Sequence, residues 1–358
     1  MDTQTKLAID RILTTIAAKR AADVHLSVGT PPTMRLHNEL VPLPDEPIIT
    51  KDFMETFVEV VLDNEQEKIL DEEREIILAY QLNRQTRYRI NIFYQRGVLA
   101  AYLRLIGNEL IPLEKLGLPT AIDQFAQATH GLLIISGSFG SGKTTTAASL
   151  IQHFNTTRSA YILTVERPIE YIFSSQRSII EQREVGRDAV SFERAIRTIT
   201  QEDVDILVLS ELATPQVISA AISIAASGRL VIANVEANTT VKTLEHIINR
   251  FPGGEQPRMR ERLASNLMGT ICQRLIPRVG GSTIPVAELM LNTPPIQAHI
   301  KDGSFYQLPT VIQTSRAEGM ISLDWSLAEL AKTNEITVDT ALEYASDEQL
   351  VRSMLSIS

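Results

Sequence analysis

Eight residues, Gly137-Ser138-Phe139-Gly140-Ser141-Gly142-Lys143-Thr144, restrict the folds open to this chain more than any other stretch. They follow an apolar run, Leu132-Leu133-Ile134-Ile135, and precede a helix-forming stretch, Thr145-Thr146-Ala147-Ala148-Ser149-Leu150-Ile151. A buried strand, a glycine loop and a helix in that order make a phosphate-binding loop. The glycines let the backbone curve until several N–H groups point at one centre, and the helix adds the positive end of its dipole. Lys143 would reach the β- and γ-phosphates of a nucleotide, and the Thr144 hydroxyl would hold Mg²⁺. The candidate binding set is Gly137, Ser138, Phe139, Gly140, Ser141, Gly142, Lys143, Thr144 and Thr145.

Around this loop the hydrophobic pattern is that of an α/β fold. Short apolar runs at 132–136, 161–165, 206–209 and 230–235 alternate with helix-like segments. That alternation predicts a mostly parallel sheet covered by helices. Ligands of such sheets bind at the carboxyl ends of the strands, where the glycine loop already lies. One of the runs, Asp205-Ile206-Leu207-Val208-Leu209, leads through Ser210 to Glu211. An acid at that place in a nucleotide hydrolase orients the attacking water or completes the Mg²⁺ shell. Glu166, which ends Tyr161-Ile162-Leu163-Thr164-Val165, is a second catalytic candidate; the alternative is a loop acid with no role.

The first hundred residues read as a smaller α+β unit. Ile9, Ile12, Leu13, Ile16 and Ala17 recur at helical spacing, while Val24, Leu26 and Val28 alternate as in a strand. Met34 and Leu36 continue a second strand, 53–72 reads as helical, and Tyr88, Ile90, Ile92 and Tyr94 alternate again beside a strand at 99–106. His25 and His37 fall in these strands without metal-ligating neighbours. The expected division is 1–106, a linker at 107–119, and 120–358. The chain is acidic, with a formal net charge of −9. That disfavours a nucleic-acid-coating role. Cys272 is the only cysteine, so neither an internal disulfide nor a multi-cysteine zinc site is available, and a reducing compartment is expected. No apolar run approaches the roughly 18 residues of a membrane span, and no signal peptide is visible.

Several motifs in order resemble the PilT/PilU-type ATPases that retract type IV pili, within the wider secretion-ATPase superfamily. Ala22-Asp23-Val24-His25-Leu26-Ser27-Val28-Gly29 with Pro31-Pro32-Thr33-Met34 resembles the start of that family's PAS-like N-terminal domain. Arg87-Tyr88-Arg89-Ile90-Asn91-Ile92-Phe93 is similar to its arginine-bearing strand, and the 181–188 segment to one typical of the retraction branch. Arg274-Leu275-Ile276-Pro277-Arg278 and Met290-Leu291-Asn292-Thr293-Pro294 are similar to its C-terminal core. The resemblance implies a RecA-like P-loop ATPase domain with a helical C-terminal part, and a ring, usually of six subunits. It implies ATP bound between the two domains of one subunit, with Arg87, Arg89 or Arg104 sensing the γ-phosphate through a guanidinium fork. For Arg104 a solvated strand face is the alternative. The implied partners are other copies of the chain, an inner-membrane pilus platform protein and a second retraction ATPase, with no nucleic acid. The implied location is cytoplasmic, at the inner face of the membrane.

Departures from the family pattern lie close to the kept residues. Where the pattern has Glu-Asp-Pro-Ile-Glu, this chain has Glu166-Arg167-Pro168-Ile169-Glu170. The two histidines usual in the 228–238 stretch are replaced by Arg229 and Glu236, the glycine before the catalytic acid is Ser210, and the arginine and aspartate after it are Ala213 and Thr214. Two functions follow: a working ATPase motor, or a nucleotide-binding subunit of weak hydrolytic power that regulates one. An assembly ATPase is disfavoured, since many of those carry a four-cysteine zinc insertion. The exchanged charges suggest a reversed polar pair of Arg167 and Glu236 near the nucleotide, with Arg229 as a third member.

Overall fold

Side chains that alternate between apolar and polar build the N-terminal unit around one face of a sheet. The computed structural model describes residues 3–19, 23–36, 39–43, 45–83, 86–106 and 110–356, with Thr3 and Gln4 described in backbone only. His37 and residues 107–109 of the expected linker lie outside the described residues. The chain divides into two compact units, one of Met1–Glu109 with Arg167–Ile172 and one of Leu110–Glu166 with Phe173–Ser358.

In the first unit, helix α1 (Thr3–Ala18) precedes strands β1 (Asp23–Ser27), β2 (Thr33–Leu36) and β3 (Glu39–Pro42). Helices α2 (Lys51–Val61) and α3 (Asn64–Glu73) lead to β4 (Glu75–Asn83), β5 (Thr86–Gln95) and β6 (Val98–Ile106). The antiparallel sheet runs β3-β2-β1-β6-β5-β4. Val24, Leu26, Tyr88, Ile90, Ile92 and Leu103 face a core filled by Ile9, Leu13 and Ile16 of α1 and by Met54 and Phe57 of α2. Within it the Tyr88 hydroxyl donates to the Leu13 carbonyl at 2.6 Å, and burial pushes its pKa up to about 12. The helical stretch expected over 53–72 consists of two helices. Leu62 is extended, and Asp63 caps α3 by accepting from the N–H groups of Glu65 and Gln66, while Gln66 accepts from the N–H of Asp63. A reciprocal capping box satisfies donors that a continuous helix would otherwise bond internally.

The second unit contains α4 (Ile122–Ala126), β7 (Gly131–Gly137), α5 (Lys143–Thr157), β8 (Tyr161–Glu166) and β9 (Ile179–Glu184). Next come α6 (Phe192–Ile196), β10 (Ile206–Leu209), α7 (Pro215–Ala226), β11 (Leu230–Glu236), α8 (Thr240–Asn249) and α9 (Gln256–Asn266). A hairpin of β12 (Leu267–Pro277) and β13 (Thr283–Leu291) is followed by α10 (Pro294–Asp302), α11 (Leu308–Thr314), α12 (Leu323–Lys332), α13 (Val338–Tyr344) and α14 (Glu348–Leu355). The sheet order is β13-β12-β7-β11-β10-β8-β9, parallel throughout except for β13.

Every residue of β7 is buried, which is why it reads as a continuous apolar run. Its alternate side chains serve two cores. Leu132 and Ile134 join α7, α8 and α9 on one face; Leu133 and Ile135 join Leu150, Ile151 and Phe154 of α5 on the other. This doubly covered parallel sheet is the RecA-like arrangement that the resemblance implies. Residues 110–116 belong to it as well: Leu113 and Leu116 are buried, and Ser149 Oγ of α5 donates to the Ile111 carbonyl at 2.6 Å. The terminal helices α12–α14 pack on Ile276, Ile284 and Val286 of the hairpin.

Replacing Asp63 by alanine removes the acceptor for two helix-start N–H groups. The expected loss is about 1 kcal/mol of stability in the first unit. It should be read as faster hydrogen exchange at the Glu65 and Gln66 amides, with the exchange of β7 unchanged.

Candidate nucleotide-binding site

Three strand ends place the chemistry of the second unit along one edge of its sheet. The glycine loop leaves the end of β7, Glu166 ends β8, and Glu211 follows β10 by two residues. The β7-β11-β10-β8 order sets Glu211 about 10 Å and Glu166 about 14 Å across the sheet from the loop, at ~4.8 Å per strand. Val165 pairs with Leu209, so Glu166 and Ser210 stand at one height.

In the loop, Lys143 Nζ donates to the carbonyls of Gly137 and Ser138, each at 2.8 Å. The tip, Ser138-Phe139-Gly140, is exposed, while Thr144 and Thr145 are half-buried at the start of α5. Gly142 precedes that helix at φ +89°, a left-handed conformation open to glycine at no steric cost. A side chain at Gly137 would collide with Ser141 Oγ and come within 2.5 Å of the Gln273 carbonyl. Ser141 is 3% exposed and its Oγ has no hydrogen-bond partner.

Glu166 is buried, and its Oε1 accepts from Thr164 Oγ1 at 2.6 Å and Gln182 Nε2 at 3.1 Å. Glu211 is half-exposed between Ser210, whose N–H donates to the Val165 carbonyl, and the buried Leu212. Thr144, Glu166 and Glu211 present hard oxygen donors, the kind that suit Mg²⁺. No cluster of three or more metal-ligating side chains occurs among the described residues. Mg²⁺ needs none, because phosphate oxygens and water complete its shell.

Arg87, Arg89 and Arg104 gather on the polar face of the first unit's sheet. Arg89 lies directly opposite Arg104 across β5 and β6. Arg87 Nε donates to the Ile169 carbonyl at 3.1 Å, and Arg89 Nη1 to Glu170 at 3.2 Å, both in the 167–172 segment that clusters with this unit. Arg104 differs. It grips Asp23 with two nitrogens, at 2.7 and 3.3 Å, and Tyr102 donates to the same carboxylate at 2.6 Å. Burial acts to raise the pKa of Asp23, but the hydrogen bonds from Arg104 and Tyr102 outweigh it and leave that pKa lowered. Burial and then Asp23 push the Tyr102 phenol up to about 12. The His25 ring leans on Tyr102 at 5.3 Å, a packing role.

Arg229 does not join the carboxyl edge. It precedes β11, whose other end carries Glu236 opposite Gly137. Seven residues of strand separate the two positions by roughly 23 Å, at ~3.3 Å each. The guanidinium instead donates to the carbonyls of Val204 at 2.9 Å and Glu202 at 3.2 Å and to Ser227 Oγ at 2.8 Å, at the amino end of the strands. The expectation of Arg229 as third member of a polar cluster near the nucleotide is thereby corrected. Cys272 is buried in β12, and burial pushes its thiol up to about 11, as befits a core residue.

Gln273 is the residue that sequence reasoning missed. Its side chain on β12 is 1% exposed; its Nε2 donates to the Ser141 carbonyl at 2.7 Å and its Oε1 accepts from Thr146 Oγ1 at 2.9 Å. One amide thus braces both the loop and the first turn of α5. Gln273→Leu leaves two buried partners unsatisfied. The expected destabilisation is about 1–3 kcal/mol. Thermal melting measures that term, and titration with a fluorescent ATP analogue should show weakened binding.

The chain matches the family described as "Type II/IV secretion system protein" over residues 2–284. It is similar to the type IV pilus retraction ATPase PilT of Pseudomonas aeruginosa, 31% identical over 337 residues covering 94% of this chain and 98% of that one. The type IV pilus ATPase PilU of the same organism is 30% identical, with 98% and 92% covered. A solved structure of the pilus retraction motor PilT with bound ADP superimposes with a TM-score of 0.83 at 32% identity, over 96% of this chain and 98% of that one.

Proposed function

The chain belongs to the type II/IV secretion system protein family, and on that premise we propose that it is an ATP-hydrolysing motor of the type IV pilus retraction class, which drives twitching motility. The observation that carries the reading is the shared edge. A glycine loop with its lysine and two strand-end carboxylates lie along the carboxyl side of one parallel sheet.

In this reading the N–H groups of residues 138–144 and the Lys143 ammonium take the phosphates, displacing the Gly137 and Ser138 carbonyls that Lys143 now contacts. Mg²⁺, held through Thr144 with Glu166 or Glu211 behind it, would neutralise charge on the β- and γ-phosphates. Glu211 orients the water that attacks the γ-phosphorus, and Glu166 is kept in place by Thr164 and Gln182. Arg87 and Arg89 serve as γ-phosphate sensors, since each carries a permanently charged fork on the strand face that the resemblance gives to that task. Arg104 is committed to Asp23 and is the weaker candidate.

The alternative, a hydrolytically weak subunit, rests on the replacements at 167, 229 and 236. Arg229 lies at the far end of the sheet and takes no part in the carboxyl edge, where Glu236 stands. The motor acts as a closed ring of identical subunits, six in number, packed head to tail. Its partners are a pilus platform protein of the inner membrane and a second retraction ATPase. It works from the cytoplasmic face; among the described residues no helix is long and apolar enough to cross a membrane.

Steady-state ATP hydrolysis tests the reading. Wild type should turn over ATP with Mg²⁺, and Glu211→Gln should slow kcat by about 10²- to 10⁴-fold while still binding nucleotide. Lys143→Ala should lose tight binding of a fluorescent ATP analogue. A Lys143→Ala variant that binds as wild type, or a Glu211→Gln variant that hydrolyses as wild type, sinks it.

A further inference from the structure

The loop that carries Glu211 is short, and its two ends are tied by the fold. Ser210 N–H donates to the Val165 carbonyl at 3.0 Å, and the Leu212 side chain is buried in the core. Thr214 caps α7 by accepting from the Val217 N–H at 3.3 Å, and donates its own proton to Glu193 Oε1 at 2.6 Å. Between these ties lies Ala213, whose carbonyl points out of the loop and accepts from Arg250 Nη1. Arg250 caps the end of α8, 37 residues along the chain. Its two other nitrogens converge on one atom: Nε at 3.1 Å and Nη2 at 2.9 Å from His246 Nε2, one turn earlier on the helix.

A guanidinium is a rigid fork, so holding two of its nitrogens aims the third. The geometry requires His246 Nε2 to accept, which places the ring proton on Nδ1. Burial and the Arg250 charge both lower the His246 pKa against an opposing pull from Glu236, favouring that neutral ring. We infer that Arg250, aimed by His246, is a positioning residue that holds the Glu211 loop for hydrolysis. This rests on the reading of Glu211 given above. Arg250 and His246 are exposed, so water replaces the lost bond when either is removed. Stability should therefore change little, whereas the rate depends on where Glu211 stands.

The test compares Arg250→Ala, His246→Leu and His246→Gln with wild type and Glu211→Gln, in full-length protein with ATP and Mg²⁺. Arg250→Ala should lower kcat by about 10- to 100-fold, the loss expected for a displacement near 1 Å. Its KM for ATP, its affinity for a fluorescent analogue and its Tm should stay near those of wild type. His246→Leu should fall with it, and His246→Gln, which keeps an acceptor, should recover most of the rate. Wild-type kcat in Arg250→Ala beside a slowed Glu211→Gln overturns the inference alone. Losses of kcat, nucleotide affinity and Tm together in Arg250→Ala overturn it too, as would equal rates in His246→Leu and His246→Gln. Full activity in Glu211→Gln overturns the reading beneath it.

Discussion

The central strand β7 must be covered on both faces, and the second unit is organised around that demand. A parallel strand with apolar side chains in both directions needs a helix layer above and another below. Once α5 covers one face and α7, α8 and α9 the other, the carboxyl ends of the strands are the places left for polar residues. The glycine loop, Glu166, Glu211 and Glu236 all stand there as a result. The antiparallel hairpin of β12 and β13 extends the sheet on the side of the loop, and it brings Gln273 under Ser141.

The N-terminal unit meets a different demand. Its sheet buries one face against α1 and α2, and the other face is left polar. On that face Asp23 holds Arg104 and Tyr102 together, Arg87 donates to the Ile169 carbonyl, and Arg89 pairs with the Glu170 carboxylate. A guanidinium gripping one carboxylate with two nitrogens, as Arg104 does Asp23, is costly to redirect. The three arginines are alike in sequence and differ in the partners they hold.

Much of this was legible in the residues. Fully buried strands announce themselves as apolar runs, so β7, β8, β10 and β11 stand where the alternation predicts them. The glycine loop is a local motif whose context needs only the flanking dozen residues. Contacts made across long sequence separations left no such mark. Gln273 meets Ser141 from 132 residues away, and nothing about a glutamine in a strand marks it as a brace. The strands β3 and β4 passed unseen, one short and almost wholly exposed, the other interrupted by Ala79 and flanked by acids that favour helix. The break at Leu62–Asp63 was hidden by helical periodicity on both sides, although Asp63 and Gln66 carry the capping spacing. The misplacement of Arg229 has another origin. Two positions of one motif can sit at opposite ends of one strand, and resemblance does not carry that distance.

The bond from Ser149 to the Ile111 carbonyl gives α5 a second role. The first residues of this helix form the glycine-loop cradle, and Ser149, less than two turns later, fastens residues 110–116 at the start of the second unit. The cradle and the anchor for residues 110–116 thus sit on one rigid rod about 22 Å long, at 1.5 Å per residue, and neither can shift along its axis without the other.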